Sequence, residues 1–83
     1  LDTHGLESER MEFLYGQGYV EIVLHNYKEA IGSFEELVEL ITSKGNLQDP
    51  QLLELYQTLA DLYGKIGDYA EAKRYQKKKK NQE

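Results

Sequence analysis

Hydrophobic residues fall at steps of three and four along most of the chain. The clearest run is Ala30, Ile31, Phe34, Leu37, Val38 and Ile41, with Glu35, Glu36 and Glu39 pointing the other way. This spacing predicts a helix with one buried face and one solvated acidic face. A second stripe, Leu52, Leu55, Tyr56, Leu59, Leu62, Tyr63 and Ile66, leaves Leu53 and Ala60 off its line. That helix is expected to have neighbours on two sides. An earlier helix, about residues 7–24, is apolar on more than one face through Phe13, Leu14, Val20, Ile22, Val23 and Leu24. A fourth begins near Tyr69 and loses its stripe after Tyr75. No segment alternates with the period of two that a half-buried strand needs. The pattern predicts an all-α chain of four helices.

Capping chemistry marks the boundaries. Asn26 followed by Glu29, and Asp68 followed by Glu71, fit capping boxes. In Asp49-Pro50 an N-cap acceptor precedes a proline at the first helical position, where a missing N–H costs nothing. Gly45 and Gly67 stand where helices end on a left-handed residue. The bends near residues 25 and 67 are very short, so helices one and two, and three and four, are expected as antiparallel hairpins. Residues 43–50 form the one longer connection.

Composition narrows the picture. Eighty-three residues make a single domain near the lower limit of independent folding. There is no cysteine, hence no disulfide or thiolate metal site to support it. No apolar run approaches the length of a membrane span, and no basic-then-apolar opening marks a secretory signal; together with the lack of cysteine this points to the cytoplasm. The chain opens on Leu1, which suggests a piece of something longer. Its net charge is −5, unevenly spread: residues 1–76 carry 14 acids against 6 bases, and 77–80 are four consecutive lysines. The acidic body repels nucleic-acid phosphates and anionic membranes, and steers basic partners toward it. The lysine run lacks interleaved aromatics for base stacking and reads as a soluble, dipole-matched helix end. Neither a nucleic-acid nor a membrane partner is expected.

An offset of 42 aligns Asn26-Tyr27-Lys28-Glu29-Ala30 with Asp68-Tyr69-Ala70-Glu71-Ala72 and sets Gly18 opposite Ala60. The shared cap, tyrosine and Glu-Ala suggest one packing task done twice: a tyrosine wedged in the hairpin mouth and an alanine that lets helices approach closely. With Leu59-Ala60, Tyr63, Gly67-Asp68-Tyr69 and Ala72 in the second copy, and Gly18, Asn26-Tyr27, Ala30 and Phe34 in the first, the chain resembles a pair of tetratricopeptide repeats. The likeness covers roughly residues 11–76, and its 42-residue spacing exceeds the usual 34. The first helix can be registered by counting back from Tyr27, or by taking Tyr15-Gly16-Gln17-Gly18-Tyr19 as the glycine motif, two residues longer. Gln76 and Lys79 depart from the family, which places an aromatic and an alanine there. The resemblance implies two antiparallel helix hairpins stacked as a short right-handed α-solenoid, one domain over 1–83. Repeat one spans about 7–44 and repeat two about 50–82. Because three or more repeats are usual, a marginal monomer or a self-associating one, such as a homodimer, is expected.

Parts for catalysis are missing. There is no cysteine nucleophile, no serine in a glycine elbow and no phosphate-binding glycine loop. Gly16-Gln17-Gly18 sits inside a helical pattern, where close helix contact explains the glycines. His4 and His25 are far apart in sequence, and Glu35, Glu36 and Glu39 read as a solvated face. No enzyme activity, cofactor or metal is expected.

What the resemblance implies instead is recognition of a peptide or helix on the concave face formed by the first helix of each pair. Counted from Tyr27, those positions are Glu12, Tyr15, Tyr19, Ile22 and Val23 in copy one, and Glu54, Gln57, Asp61, Gly64 and Lys65 in copy two. The family's lysine and asparagine clamp for a terminal carboxylate is absent, Lys65 standing elsewhere. Acids for cations and tyrosines for apolar or cation–π contact favour a protein segment mixing arginine or lysine with apolar residues. The competing reading makes Tyr15 and Tyr19 core residues. The competing function is structural: apolar ends that stack on a second copy or on further repeats, with no peptide bound.

Overall fold

The computed structural model describes the backbone of residues 3–43, 45 and 49–82 and the side chains of residues 9–43, 45 and 49–81. It holds four helices, α1 (Thr3–Val23), α2 (Tyr27–Ser43), α3 (Pro50–Lys65) and α4 (Tyr69–Gln82), and no strand among the described residues. α1 packs on α2, α3 on α4, and α2 on α3. The two hairpins therefore stack through α2. The shortest extent, 14 Å, is about one helix spacing plus backbone radii, so every helix keeps a solvent face. Residues 44 and 46–48 of the 43–50 connection lie outside the described residues, as does the side chain of His4.

Local chemistry sets the ends. Asp49 caps α3, its carboxylate accepting from the Gln51 N–H at 2.9 Å, with Pro50 at the first helical position. Gly45 and Gly67 are left-handed at φ 78° and 84°. The bend after α1 has the same form as the bend after α3, with His25 left-handed at φ 61° in the place of Gly67. The correspondence extends to the hydrogen bonds. Asn26 N–H donates to the Glu21 carbonyl and Asp68 N–H to that of Tyr63; His25 N–H donates to Ile22 and Gly67 N–H to Gly64. Each bond recurs 42 residues on, as a Schellman closure of the first helix in each hairpin. This repeat of the backbone carries through to the register counted from Tyr27, with Gly18 opposite Ala60.

The same bends correct the capping boxes. The amide of each cap residue is already spent on the Schellman carbonyl, so Glu29 and Glu71 have no cap N–H to reach. Asp68 keeps half a box, accepting from the Glu71 N–H at 3.4 Å, and Glu71 pairs with Arg74 instead. The Asn26 side chain makes no such bond among the described residues.

One apolar core runs through both hairpins. Phe34, Leu37, Ile41, Leu52, Leu55, Leu59 and Leu62 are fully enclosed, and α4 adds Ala72 and Tyr75 only. Gly18 is required where it stands: a Cβ there would lie 2.5 Å from the Phe34 ring. Gly16 has open space around it, so close helix contact explains only one of the two glycines.

The acidic face of α2 is not wholly solvated, contrary to its reading from periodicity. Glu35 Oε2 accepts from the Tyr63 hydroxyl at 2.7 Å and from the Tyr75 hydroxyl at 2.9 Å, tying α2 to α3 and α4. The two rings stack with centroids 5.8 Å apart. Burial first, and the Glu35 carboxylate second, hold both phenols protonated well above the ordinary tyrosine range. Glu36 pairs with Arg10 of α1. Only Glu39 is exposed as expected.

The tyrosine wedge likewise holds in one copy only. Tyr27 is half-buried beneath Lys65, whose Nζ lies 5.6 Å from the ring centroid, and its hydroxyl meets His25 Nδ1 at 2.8 Å. Tyr69 is 66% exposed, because the α3 that covers Tyr27 has no counterpart over α4 among the described residues.

Candidate partner-binding surface

α1 and α3 are the first helices of their hairpins, and side chains join them along one edge. Tyr15 stands at the centre. Its hydroxyl donates to Glu54 Oε1 at 3.0 Å. That uses its one proton, so the Tyr19 hydroxyl, 3.4 Å away, is the donor toward Tyr15. Both rings lean edge-on against Phe34, at 6.3 and 5.4 Å between centroids. The two readings of these tyrosines thus merge: the ring edges belong to the core, while the hydroxyls face the seam. The Tyr19 hydrogen bond, burial and the Glu54 carboxylate, in that order, keep the Tyr15 phenol protonated well above its usual range.

Beside Tyr15 lies a hollow of about 380 Å³ lined by Met11, Glu12, Tyr15, Gly16 and Gln51. Its walls are a thioether, an aromatic ring and open glycine backbone, with carboxylates near the rim. Of the expected positions, Glu12, Tyr15, Tyr19 and Glu54 gather here. Met11, Gly16 and Gln51 were not anticipated as lining. For Gly16 the signal was available, since a solvent-side glycine within a helix has no packing reason to be small.

The remaining positions lie elsewhere. Ile22 packs against the core. Gln57 links two neighbours, accepting from Lys79 Nζ at 2.9 Å and donating to Asp61 at 3.0 Å. Asp61, Gly64 and Lys65 border a second hollow of about 500 Å³, completed by Ala60, Tyr69, Ala72 and Gln76 at the far end of the stack. That hollow has a clear origin. In the first hairpin the Phe34 ring fills the space over Gly18; 42 residues on, exposed Gln76 takes the place of that ring, and the hollow opens beside it although Ala60 itself is buried.

Among the described residues, no three histidine, aspartate or glutamate side chains converge as a metal site requires, and no helix is long and apolar enough to cross a membrane. Two hairpins that repeat at 42 residues, stacked so that their first helices share a grooved edge, define a short α-solenoid. The tetratricopeptide repeat model matches residues 9–78, and the chain belongs to that family. Its repeats mediate protein–protein interaction and scaffolding and are typically non-catalytic. Comparison with the curated proteins and with the solved structures gave no match.

Proposed function

We propose that the protein is a non-catalytic docking platform that captures a basic, partly apolar segment of a partner protein along the α1–α3 edge. The observation that carries this reading is the hollow beside Tyr15, with Met11 and the tyrosine ring as an apolar wall and Glu12 and Glu54 supplying negative charge. An apolar or aromatic side chain fits the wall, and a neighbouring arginine or lysine meets the carboxylates. The acidic balance of the first 43 residues, nine acids against two bases, draws such a segment in from a distance. Because Tyr15 is already oriented by Glu54 and Tyr19, little side-chain entropy is lost on binding.

The test is a titration of labelled protein with peptides of equal length, one mixing arginine with leucine and phenylalanine and one mixing glutamate with them. The basic peptide is expected to bind more tightly, with the gap narrowing as salt rises. Tyr15→Ala is expected to weaken it about tenfold, roughly 1.4 kcal/mol. Equal affinity for both peptides, or indifference to Tyr15→Ala, overturns the proposal.

A further inference from the structure

The interface between the two hairpins supplies a template for a second interface. α3 presents two flanks. Tyr56 and Gln57 reach α4, through the Tyr75 ring and Lys79. Glu54 and Lys65 reach the first hairpin, at Tyr15 and Tyr27. On this second flank stand Leu55 and Leu62, which are 1% and 2% exposed. The same positions of α1, 42 residues earlier, are Phe13 and Val20, 66% and 53% exposed, and Leu24, the counterpart of Ile66, is exposed beside them. α1 thus carries the apolar flank by which α3 docks, with no helix against it among the described residues. At the other end of the stack, Ala60, Gly64, Tyr69 and Ala72 line the hollow equivalent to the ground on which α3 sits.

We infer that the α1 flank of one copy of this chain docks on the α3–α4 end of another, extending the stack head to tail by the same relation that joins the two hairpins. Charge and chemistry agree with this occupant when each observed contact is carried forward by 42 residues. The bond from Tyr63 to Glu35 becomes Glu21 of the incoming copy against Lys77, an ion pair. Lys65 over Tyr27 becomes Val23 over the exposed Tyr69 ring. Tyr15 donating to Glu54 becomes Gln57 facing the incoming Glu12, with an amide N–H for the carboxylate. Ile31 and Val38, which share a face of α2 with Glu35 by helical spacing, become Lys73 and Lys80 beside Lys77. Their aliphatic stems can cover the incoming Phe13 and Val20 while the ammonium groups reach the acids of α1. A two-fold pairing of α1 with α1 would instead bring like-charged acidic helices together. Gln17 takes the place of fully buried Leu59, so the contact between copies is weaker than the one within the chain. The two surfaces share Glu12, but none of Phe13, Val20, Lys73 and Lys77 lines the groove beside Tyr15, so this inference and the peptide reading are tested separately.

Sedimentation of the 83-residue chain from about 10 µM to 1 mM tests it, the range for a weak contact. The average mass is expected to climb past that of a dimer, since a head-to-tail contact leaves both ends free. Phe13→Glu with Val20→Glu blocks one end, and Lys73→Glu with Lys77→Glu blocks the other; all four residues are solvent-facing, and circular dichroism checks that the helices persist. Each double variant alone is expected to be monomeric, while their equimolar mixture forms a one-to-one complex and stops there. As a milder check, Lys77→Glu weakens association about tenfold and Glu21→Lys in the same chain restores it. A wild-type chain that stays monomeric, one that saturates at a dimer, a lysine-reversed variant that still self-associates, or a mixture that remains monomeric overturns the inference.

Discussion

The two hairpins share a backbone and differ in what fills them. Each first helix ends in the same pair of closing hydrogen bonds, and each second helix starts on a tyrosine. Yet the first hairpin seats a phenylalanine ring on a glycine, while the second has a solvated glutamine in that ring's place, beside a buried alanine, and keeps a hollow there. The comparison separates two jobs that the repeat does at once. Hydrogen bonds at the bend set the helix pairing, which survives wide divergence in side chains. The residue on the crossing helix decides whether a large side chain fills the space between the helices or a hollow is left at its edge.

The sharpest way to break that contrast is to empty the filled hairpin. Phe34→Ala is expected to cost about 3–5 kcal/mol, since the ring is fully enclosed and Gly18 offers nothing to refill its place. The whole chain, at about 0.05–0.15 kcal/mol per residue, has little more than that to lose. Gln76→Ala, at the equivalent site, is expected to change stability by less than about 0.5 kcal/mol. Urea denaturation of both variants reads the difference; similar small losses would mean that the two hairpins are not filled differently after all.

What could be read from the chain beforehand follows the same division. The helix stripes, the Asp49-Pro50 start and the glycine bends are local, and they are where the spacing places them. The carry-over of 42 residues is local too, a matter of matching two short segments. Glu35 was misread because its partners, Tyr63 and Tyr75, arrive from 28 and 40 residues away; an amphipathic wheel shows which side is polar but not that a third helix covers part of it. The groove was legible in outline, through Glu12, Tyr15 and Glu54. Asp61 and Lys65 are seven and eleven residues beyond Glu54, more than about 10 Å further along the helix, and border the other hollow. Met11 and Gln51 enter the groove only through how α1 and α3 lie side by side, which no periodicity encodes.

The Glu35 link is the second asymmetry, because its 42-residue counterpart, Lys77, is exposed. Glu35→Ala leaves two phenols without their acceptor and is expected to cost about 1–3 kcal/mol, against almost nothing for Lys77→Ala. Glu35→Gln, which keeps an acceptor without the charge, should fall between. A pH dependence accompanies it. The fold favours the protonated forms of Tyr63 and Tyr75, by burial and then by Glu35. Their contribution is therefore complete below the ordinary tyrosine pKa of about 10 and is lost as pH climbs beyond it. Denaturation at about pH 8 and pH 11 should show this alkaline loss, and phenolate absorbance should rise later than for free tyrosine. Glu35→Ala is expected to shrink the loss; an unchanged alkaline limb would place the cause elsewhere.

The bends give the smallest effect and the most direct comparison, since one left-handed position holds His25 and the other Gly67. A side chain in that conformation costs about 1–2 kcal/mol relative to the right-handed region, a penalty that glycine escapes. His25 recovers part of it through its ring contact with Tyr27, Nδ1 to hydroxyl at 2.8 Å. His25→Gly exchanges that contact for backbone freedom and is expected to gain up to about 1 kcal/mol. Gly67→Ala introduces the penalty without any compensating bond and is expected to lose about 1 kcal/mol. In a domain of this size each change moves the melting temperature by about 4–8 °C per kcal/mol, in opposite directions. Shifts of the same sign would show that the two bends do not obey the same backbone rule, and the equivalence on which the 42-residue mapping rests would fail at its most local point.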